Sequence, residues 1–193
     1  MKNKIVAFML SLMISLPCFA ASPSDVLKST VDKIIKIAVD TKQNDEIKKA
    51  ELLDIINSSV DFESLSKSVV SKHWDAATDS QKQAFKEEFG KVMLKKYFSL
   101  IQGYSNEEII IIKEVIKEDR LAQIDTEIIS KDVKTLVRYR MKKINDTWKV
   151  YDFIPEGVSF ATSYRKNYAI ILNQSGLDAL IAELTSKNNN SNK

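Results

Sequence analysis

The chain has 193 residues, with 29 Lys and Arg against 26 Asp and Glu, one His, one Cys, four Gly and three Pro. That length suffices for one domain that buries most of its apolar surface. The charges are nearly balanced and interspersed, and only Arg120, Arg138, Arg140 and Arg165 are arginines, so the basic stripe that a nucleic-acid backbone requires is absent.

Residues 1–20 read as a secretory signal. Lys2 and Lys4 make a positive start, Ile5 to Leu16 an apolar run, and Cys18-Phe19-Ala20 a small-x-small end, with cleavage expected after Ala20. The run falls short of the roughly 20 residues of a membrane-spanning helix. A lipoprotein signal would need a small residue before Cys18, and Pro17 stands there. Without the signal the chain has no cysteine and 27 basic against 26 acidic residues, a net of +1. The fold therefore depends on its core and not on disulfides. The expectation is a periplasmic protein with a single domain over 21–186 and a polar, disordered tail over 187–193.

With so few Gly and Pro the elements should be long. After Pro23-Ser24-Asp25, which resembles a helix cap, Val26, Leu27, Val31, Ile34, Ile35 and Ala38 recur at helical spacing. A second helix follows Asn44, with Ile47, Leu53 and Ile56 inward. Asp61 can cap a third, carrying Phe62, Leu65 and Val69, and Thr78 with Gln81 has capping-box spacing. The fourth helix is the clearest: Phe85, Phe89, Val92, Met93, Tyr97, Leu100 and Ile101 form its stripe, and Gly103 lies where it should end.

Beyond Tyr104 the period changes to two. Ile109 to Ile112 begins one strand; Ala122, Ile124, Thr126 and Ile128 alternate in a second; Thr135 to Ile144 and Thr147 to Ile154 flank a tight turn at Asn145-Asp146. A two-residue turn would place Val137, Tyr139 and Met141 on one face with Trp148, Val150 and Ile154, and set Arg138, Arg140 and Lys142 against Phe153, Tyr151 and Lys149. Ser159 then caps a helix with Phe160, Tyr164, Tyr168 and Ile171, ended by Gly176 and followed by a short last helix. The pattern implies an α+β fold: a four- or five-stranded, mostly antiparallel sheet covered on one face by helices and enclosing an apolar cavity.

Chemistry is hard to find. His73 is the sole imidazole, without a Ser or Cys nucleophile motif beside it. The mature chain has no metal-ligand spacing and no phosphate-binding Gly loop. Asp152 and Glu156 are the carboxylates to watch, with capping and turn roles as the competing reading. What stands out is apolar surplus on the sheet face, the fourth helix and the helix after Gly157. These surfaces can close around a cavity lined by Tyr97, Leu100, Ile124, Val137, Tyr139, Met141, Val150, Ile154, Val158, Phe160 and Tyr164, with core packing as the rival role of each.

The stretches "DFESLSKSVVSKHWDAATDSQKQAFKEEFGKVMLKKYFSLIQGY" and "RYRMKKINDTWKVYDFIPEGVSFATSYRKNYAIILNQSGLDALIAEL" closely resemble the MlaC family, the toluene-tolerance auxiliary proteins of ABC transporters. The most specific features are Asp61-Phe62 with Trp74 following, Phe85 and Phe89 with Tyr97, and Trp148-Lys-Val-Tyr-Asp152 through Glu156-Gly-Val-Ser159 to Tyr164-Arg165. Two departures touch turns: Val70-Ser71 where the family commonly has Leu-Gly, and no glycine in the hairpin before Trp148.

The resemblance implies no enzyme and no cofactor. It implies a carrier with glycerophospholipid as cargo, moving between an outer-membrane lipoprotein–porin complex and an inner-membrane ABC transporter with a ring-shaped lipid-binding subunit, and so maintaining outer-membrane lipid asymmetry. A hopanoid or other apolar-ligand carrier of the same family is an alternative. Others are a small cone-shaped α+β enzyme using His73 or Asp152 as base, and an adaptor that binds no lipid.

Overall fold

The structure, a computed structural model, describes residues 21–103, 107–130 and 133–190; the expected signal over 1–20 lies outside them. In chain order the elements are α1 (Pro23–Val39), α2 (Asp45–Ser59), α3 (Phe62–Val70), a 3-10 turn (Ser71–His73), α4 (Asp79–Gln102), β1 (Glu108–Lys117), β2 (Leu121–Ser130), β3 (Val133–Ile144), β4 (Thr147–Pro155) and α5 (Phe160–Asn190).

The helix starts follow from side-chain acceptors for otherwise unpaired amides. The cap of α1 is Ser22, one residue before the expected segment, closed into a capping box with Asp25. Asn44 accepts from the Ile47 amide and Asp61 from the Ser64 amide. At α4 the Gln81 amide donates to Thr78 Oγ1 and the Thr78 amide returns to Gln81 Oε1. On α2, Leu53 and Ile56 pack inward as expected, but Ile47 is 47% exposed, and Leu52 and Lys48 are buried. The Lys48 stem packs inside so that its ammonium donates to Ala38 O at 3.0 Å, near the C-terminal end of α1, where a cation is favoured.

The four strands form one antiparallel meander in the order β1-β2-β3-β4. Its hairpins turn through positive-φ residues, Glu118 and Asp119 in one and Asn145 (46°) and Asp146 (61°) in the other. Asn and Asp enter this region more readily than most residues, so the missing glycine before Trp148 is tolerated. The β3–β4 register holds as expected from Ile144↔Thr147 to Met141↔Val150 and then shifts by one residue. Tyr151 is the extra residue of a bulge. Arg140 therefore faces Asp152, not Tyr151, and Arg138 faces Ile154, not Phe153. The shift brings Phe153 beside Tyr139, on the face that also carries Met141.

Phe153 stacks on Phe160 of α5 at 4.6 Å, Phe160 lies 4.6 Å from Tyr164, and Tyr164 meets Phe89 of α4 edge-on at 5.0 Å. With Phe85, Leu65, Val69, Trp74 and Leu180 they form the main core. A second cluster joins Leu27 of α1 to Ala122, Ile124, Met141 and Trp148 of the sheet. A third joins Leu52 to Leu94 and Phe98. The long α5 breaks at Gly176 (φ 80, ψ −174), a backbone region essentially reserved for glycine. It then runs through Asn190, four residues into the stretch expected to be disordered, and Asn188 donates to Glu88 O at 3.0 Å.

Two substitutions test these anchors. Asp152 is buried at the start of α5, where its carboxylate accepts from Ser159 Oγ and the Ala161 amide. Asp152→Ala should cost about 3 kcal/mol in urea unfolding, because it strands both buried donors, and Asp152→Asn should recover part of the loss. Ser71, where the resembled family commonly has glycine, adopts φ 55, ψ −126. Ser71→Gly should therefore raise stability by about 1 kcal/mol in the same measurement, strain relief exceeding the added chain entropy.

Candidate functional site

Beside the second core cluster, α1 and the sheet separate into a cleft of about 290 Å³. Leu27, Val31 and Ile35 recur every four residues and supply the helix wall, which the i, i+4 rule places on one face. Ile109 and Ile111 of β1, Thr126 of β2 and Tyr139 of β3 supply the sheet wall. They share a face because Ile109 pairs with Ile128, Ile111 with Thr126, and Ile124 with Tyr139. The buried Thr126 hydroxyl donates to Val137 O at 3.0 Å, so its polarity is satisfied within the sheet. Lys28, Asp32 and Glu107 complete the lining. Burial pushes the Tyr139 phenol up from 10.0 to about 12.

The helix wall is pinned at two points. The Ser24 amide donates to Glu114 Oε2 of β1 at 2.8 Å, and Lys48 holds Ala38 O at the other end. Between those points α1 meets the sheet through apolar contacts, with Leu27, Val26 and Val31 in one cluster with Ile124, Met141, Tyr139 and Trp148.

The expected cavity residues divide between walls and core. Tyr139 lines the cleft. Ile124 and Met141 lie beside it, fully packed under Leu27, with Val150 against the same cluster. Phe160 and Tyr164 do not line the cleft: the bulge at Tyr151 turns Phe153 onto them, and they fill the aromatic core instead. Val158 is 60% exposed, in the turn that leads into α5. Val137 and Ile154 border a shallower groove of about 350 Å³ with Ile112, Leu136 and Gly157. An Arg138–Asp125 fork closes beside it at 2.7 and 3.2 Å, and the Arg138 hydrogen bonds hold the Asp125 carboxyl below the usual range. Tyr97 and Leu100 fall in the last turns of α4, and their side chains are outside the described residues.

The sequence reading missed the walls contributed by α1 and β1. The signal was present in the spacing of Leu27, Val31 and Ile35 and in the unbroken run Ile109 to Ile112.

The residues weighed for catalysis hold other positions. His73 Nε2 lies 3.4 Å from Asn173 Oδ1 at the surface. Asp152 buttresses the start of α5, accepting from the Ala161 amide and from the capping Ser159 hydroxyl, and Glu156 Oε1 accepts from the Leu136 amide at 2.6 Å in the turn after β4. Among the described residues no group of three or more His, Cys, Asp or Glu could hold a metal, and no helix is long and apolar enough to cross a membrane.

Comparison with known proteins agrees with this geometry. The MlaC protein family model matches residues 28–186. The intermembrane phospholipid transport system binding protein MlaC of Haemophilus influenzae is 27% identical over 176 residues, covering 84% of this chain and 80% of that protein. The toluene tolerance protein ttg2D of Pseudomonas putida is 25% identical over 168 residues, covering 82% and 77%. The phospholipid-binding protein of Ralstonia solanacearum, solved in complex with a phospholipid, superposes with a TM-score of 0.80 at 21% identity, over 90% of this chain and all of that one. A family match across most of the sequence shows that the chain belongs to the MlaC family, and the α+β meander agrees with it.

Proposed function

We propose that the protein is a periplasmic carrier of glycerophospholipid, shuttling cargo between an outer-membrane lipoprotein–porin complex and an inner-membrane ABC transporter with a ring-shaped lipid-binding subunit. The observation that carries this reading is the aliphatic cleft between α1 and the sheet. Its relatives by sequence are described as a phospholipid transport binding protein and a toluene tolerance protein. Burying an acyl chain is worth about 0.8 kcal/mol per methylene, so one long chain left in water costs on the order of 10 kcal/mol. A carrier must hide that surface for its whole passage, and Leu27, Val31, Ile35, Ile109, Ile111 and Tyr139 offer the walls to do so.

At about 290 Å³ the cleft sits at the lower edge of the roughly 300 to 1,000 Å³ typical of ligand sites. Two acyl chains would have to widen it, and the wall to displace is α1, whose contacts toward the sheet are apolar between its two polar ties. Neither His73 nor Asp152 opens into the cleft, which favours a carrier over an enzyme of similar shape.

Organic extraction of the purified protein followed by mass spectrometry tests the reading. Phospholipid near one equivalent is expected, reduced about ten-fold by Val31→Trp, which overfills the cleft, and unchanged by Ile170→Trp on the exposed side of α5. Extracts free of lipid would leave the adaptor reading. Tyr139 offers a second probe. Its phenolate absorbance should appear at about pH 12, and higher still once lipid excludes water from the cleft. The folded phenol holds its proton more tightly than the unfolded one, so this stabilisation is complete below pH 10.0 and is lost as pH rises through about 12. Tyr139→Phe should remove both that absorbance phase and its share of the alkaline decline.

A further inference from the structure

On the opposite side of the sheet from the cleft, α3, the β3–β4 hairpin and α5 bound an open groove of about 720 Å³. Its position follows from strand alternation. Leu121 and Lys142 pair with one another and point away from the face that carries Ala122, Met141 and Tyr139. Four cations line it, Lys67, Lys72, Lys142 and Arg165, against a single carboxylate, Asp75, with Tyr151 of the bulge also in the wall.

The cations of this groove differ from their neighbours along the same face. Going up β3, Lys134 is paired with Glu127 at 3.0 Å, Arg138 with Asp125 at 2.7 Å and Arg140 with Asp152 at 3.5 Å. Lys142 is held more loosely: its ammonium lies 3.9 Å from Asp61, a carboxylate buried at the start of α3, and donates to Ser64 Oγ at 3.4 Å. Lys67 takes Asp75 at 2.8 Å, which uses the groove's carboxylate. Lys72 and Arg165 have no ion-pair or side-chain hydrogen-bond partner among the described residues. In a chain whose charges otherwise nearly cancel, this is a local surplus of positive charge in a concave surface, the arrangement that draws in and orients an anion.

We propose that this groove is a docking site for a carboxylate-rich polypeptide segment of a partner protein. A flat bilayer spans a concave surface without filling it, whereas a protruding loop or extended segment can enter the groove between α3, the hairpin and α5. The volume suits several side chains. Arg165 offers a planar fork to a carboxylate, and the Tyr151 ring offers an apolar surface to the methylenes that carry one. Because the groove and the cleft lie on opposite faces, the segment can dock while the cleft is filled. The proposal stands on the charge distribution and does not require the carrier reading.

Titration of the isotope-labelled full chain with a hexaglutamate peptide, followed by NMR, tests it. The expected result is amide shifts confined to α3, Lys142 to Tyr151 and the first turns of α5, and affinity that falls with added salt. Affinity should fall about ten-fold in the double variant Lys72→Glu with Arg165→Glu. The neutral pair Lys72→Gln with Arg165→Gln should fall between, and Lys134→Glu, on the paired stretch of the same strand, should leave binding unchanged. The variants change exposed side chains, and an unaltered melting temperature secures the comparison. Shifts spread over the surface, equal loss with Lys134→Glu, or no binding at low salt would overturn the proposal. So would vesicles of phosphatidylethanolamine and phosphatidylglycerol that bind through Lys72 and Arg165 more tightly than the peptide does.

Discussion

Asp152 is where the sheet and the helical layer become one body. Its carboxylate stands near the end of β4, buried, and takes the Ser159 hydroxyl at 2.8 Å and the Ala161 amide at 3.1 Å, with Arg140 at 3.5 Å across the strand pair. A carboxylate can be buried at tolerable cost only when its lone pairs are filled, and here the filling groups come from the next element of the chain. The geometry depends on the bulge at Tyr151. Without that extra residue Asp152 would share the face of Tyr139, and Phe153 that of Arg138. With it, the carboxylate reaches the start of α5, while Phe153 lands on Phe160 and begins the aromatic series that continues through Tyr164 and Phe89. One inserted residue thus sets both the polar joint and the apolar one.

The consequence is an uneven distribution of rigidity. Where α3, α4 and α5 meet, large rings and fully buried aliphatic side chains pack against one another, and opening that region would expose several aromatic surfaces at once. Where α1 meets the sheet, contact is made by Leu27 and its half-buried neighbours Val26 and Val31. The remaining length of the helix stands off from β1 and β2 to leave the cleft. The molecule is solid on one side of Tyr139 and parted on the other.

Much of this was legible in the sequence because it rests on local rules. Helix starts follow from Asn44, Asp61, Thr78 and Ser159, whose side chains satisfy amides two or three residues on, and the meander follows from alternation between turn residues. The interruption at Gly176 follows from a backbone conformation that side chains resist. The failures have a common origin in events that alternation cannot foresee. A bulge changes the face of every later residue in its strand, so the faces of Phe153 and Ile154, and with them the neighbour that Phe160 meets, could not be assigned from spacing. Apolar character is also the same for a residue that packs against a neighbour and one that borders a space. The α1 stripe therefore read as ordinary core, although three of its members form a wall.

On the carrier reading, the placement of the cleft beneath α1 is what reversible carriage requires. A wall held as tightly as α5 would demand the loss of many aromatic contacts before cargo entered, and the acyl chain would have to repay all of them. A wall held only by polar ends would leave the cleft flooded when empty. Here α1 is tied by two hydrogen bonds, Ser24 to Glu114 and Lys48 to Ala38 O, each worth roughly 1 to 3 kcal/mol, and its contacts toward the sheet, through Leu27 and Val31, are apolar ones that can be exchanged for acyl ones. Methylene replaces methyl, so the difference between empty and filled states stays small compared with the roughly 10 kcal/mol at stake if a chain met water. Cargo is then held firmly against solvent yet weakly against another apolar site. Transfer between lipid-binding surfaces can proceed without any nucleotide chemistry in the carrier itself.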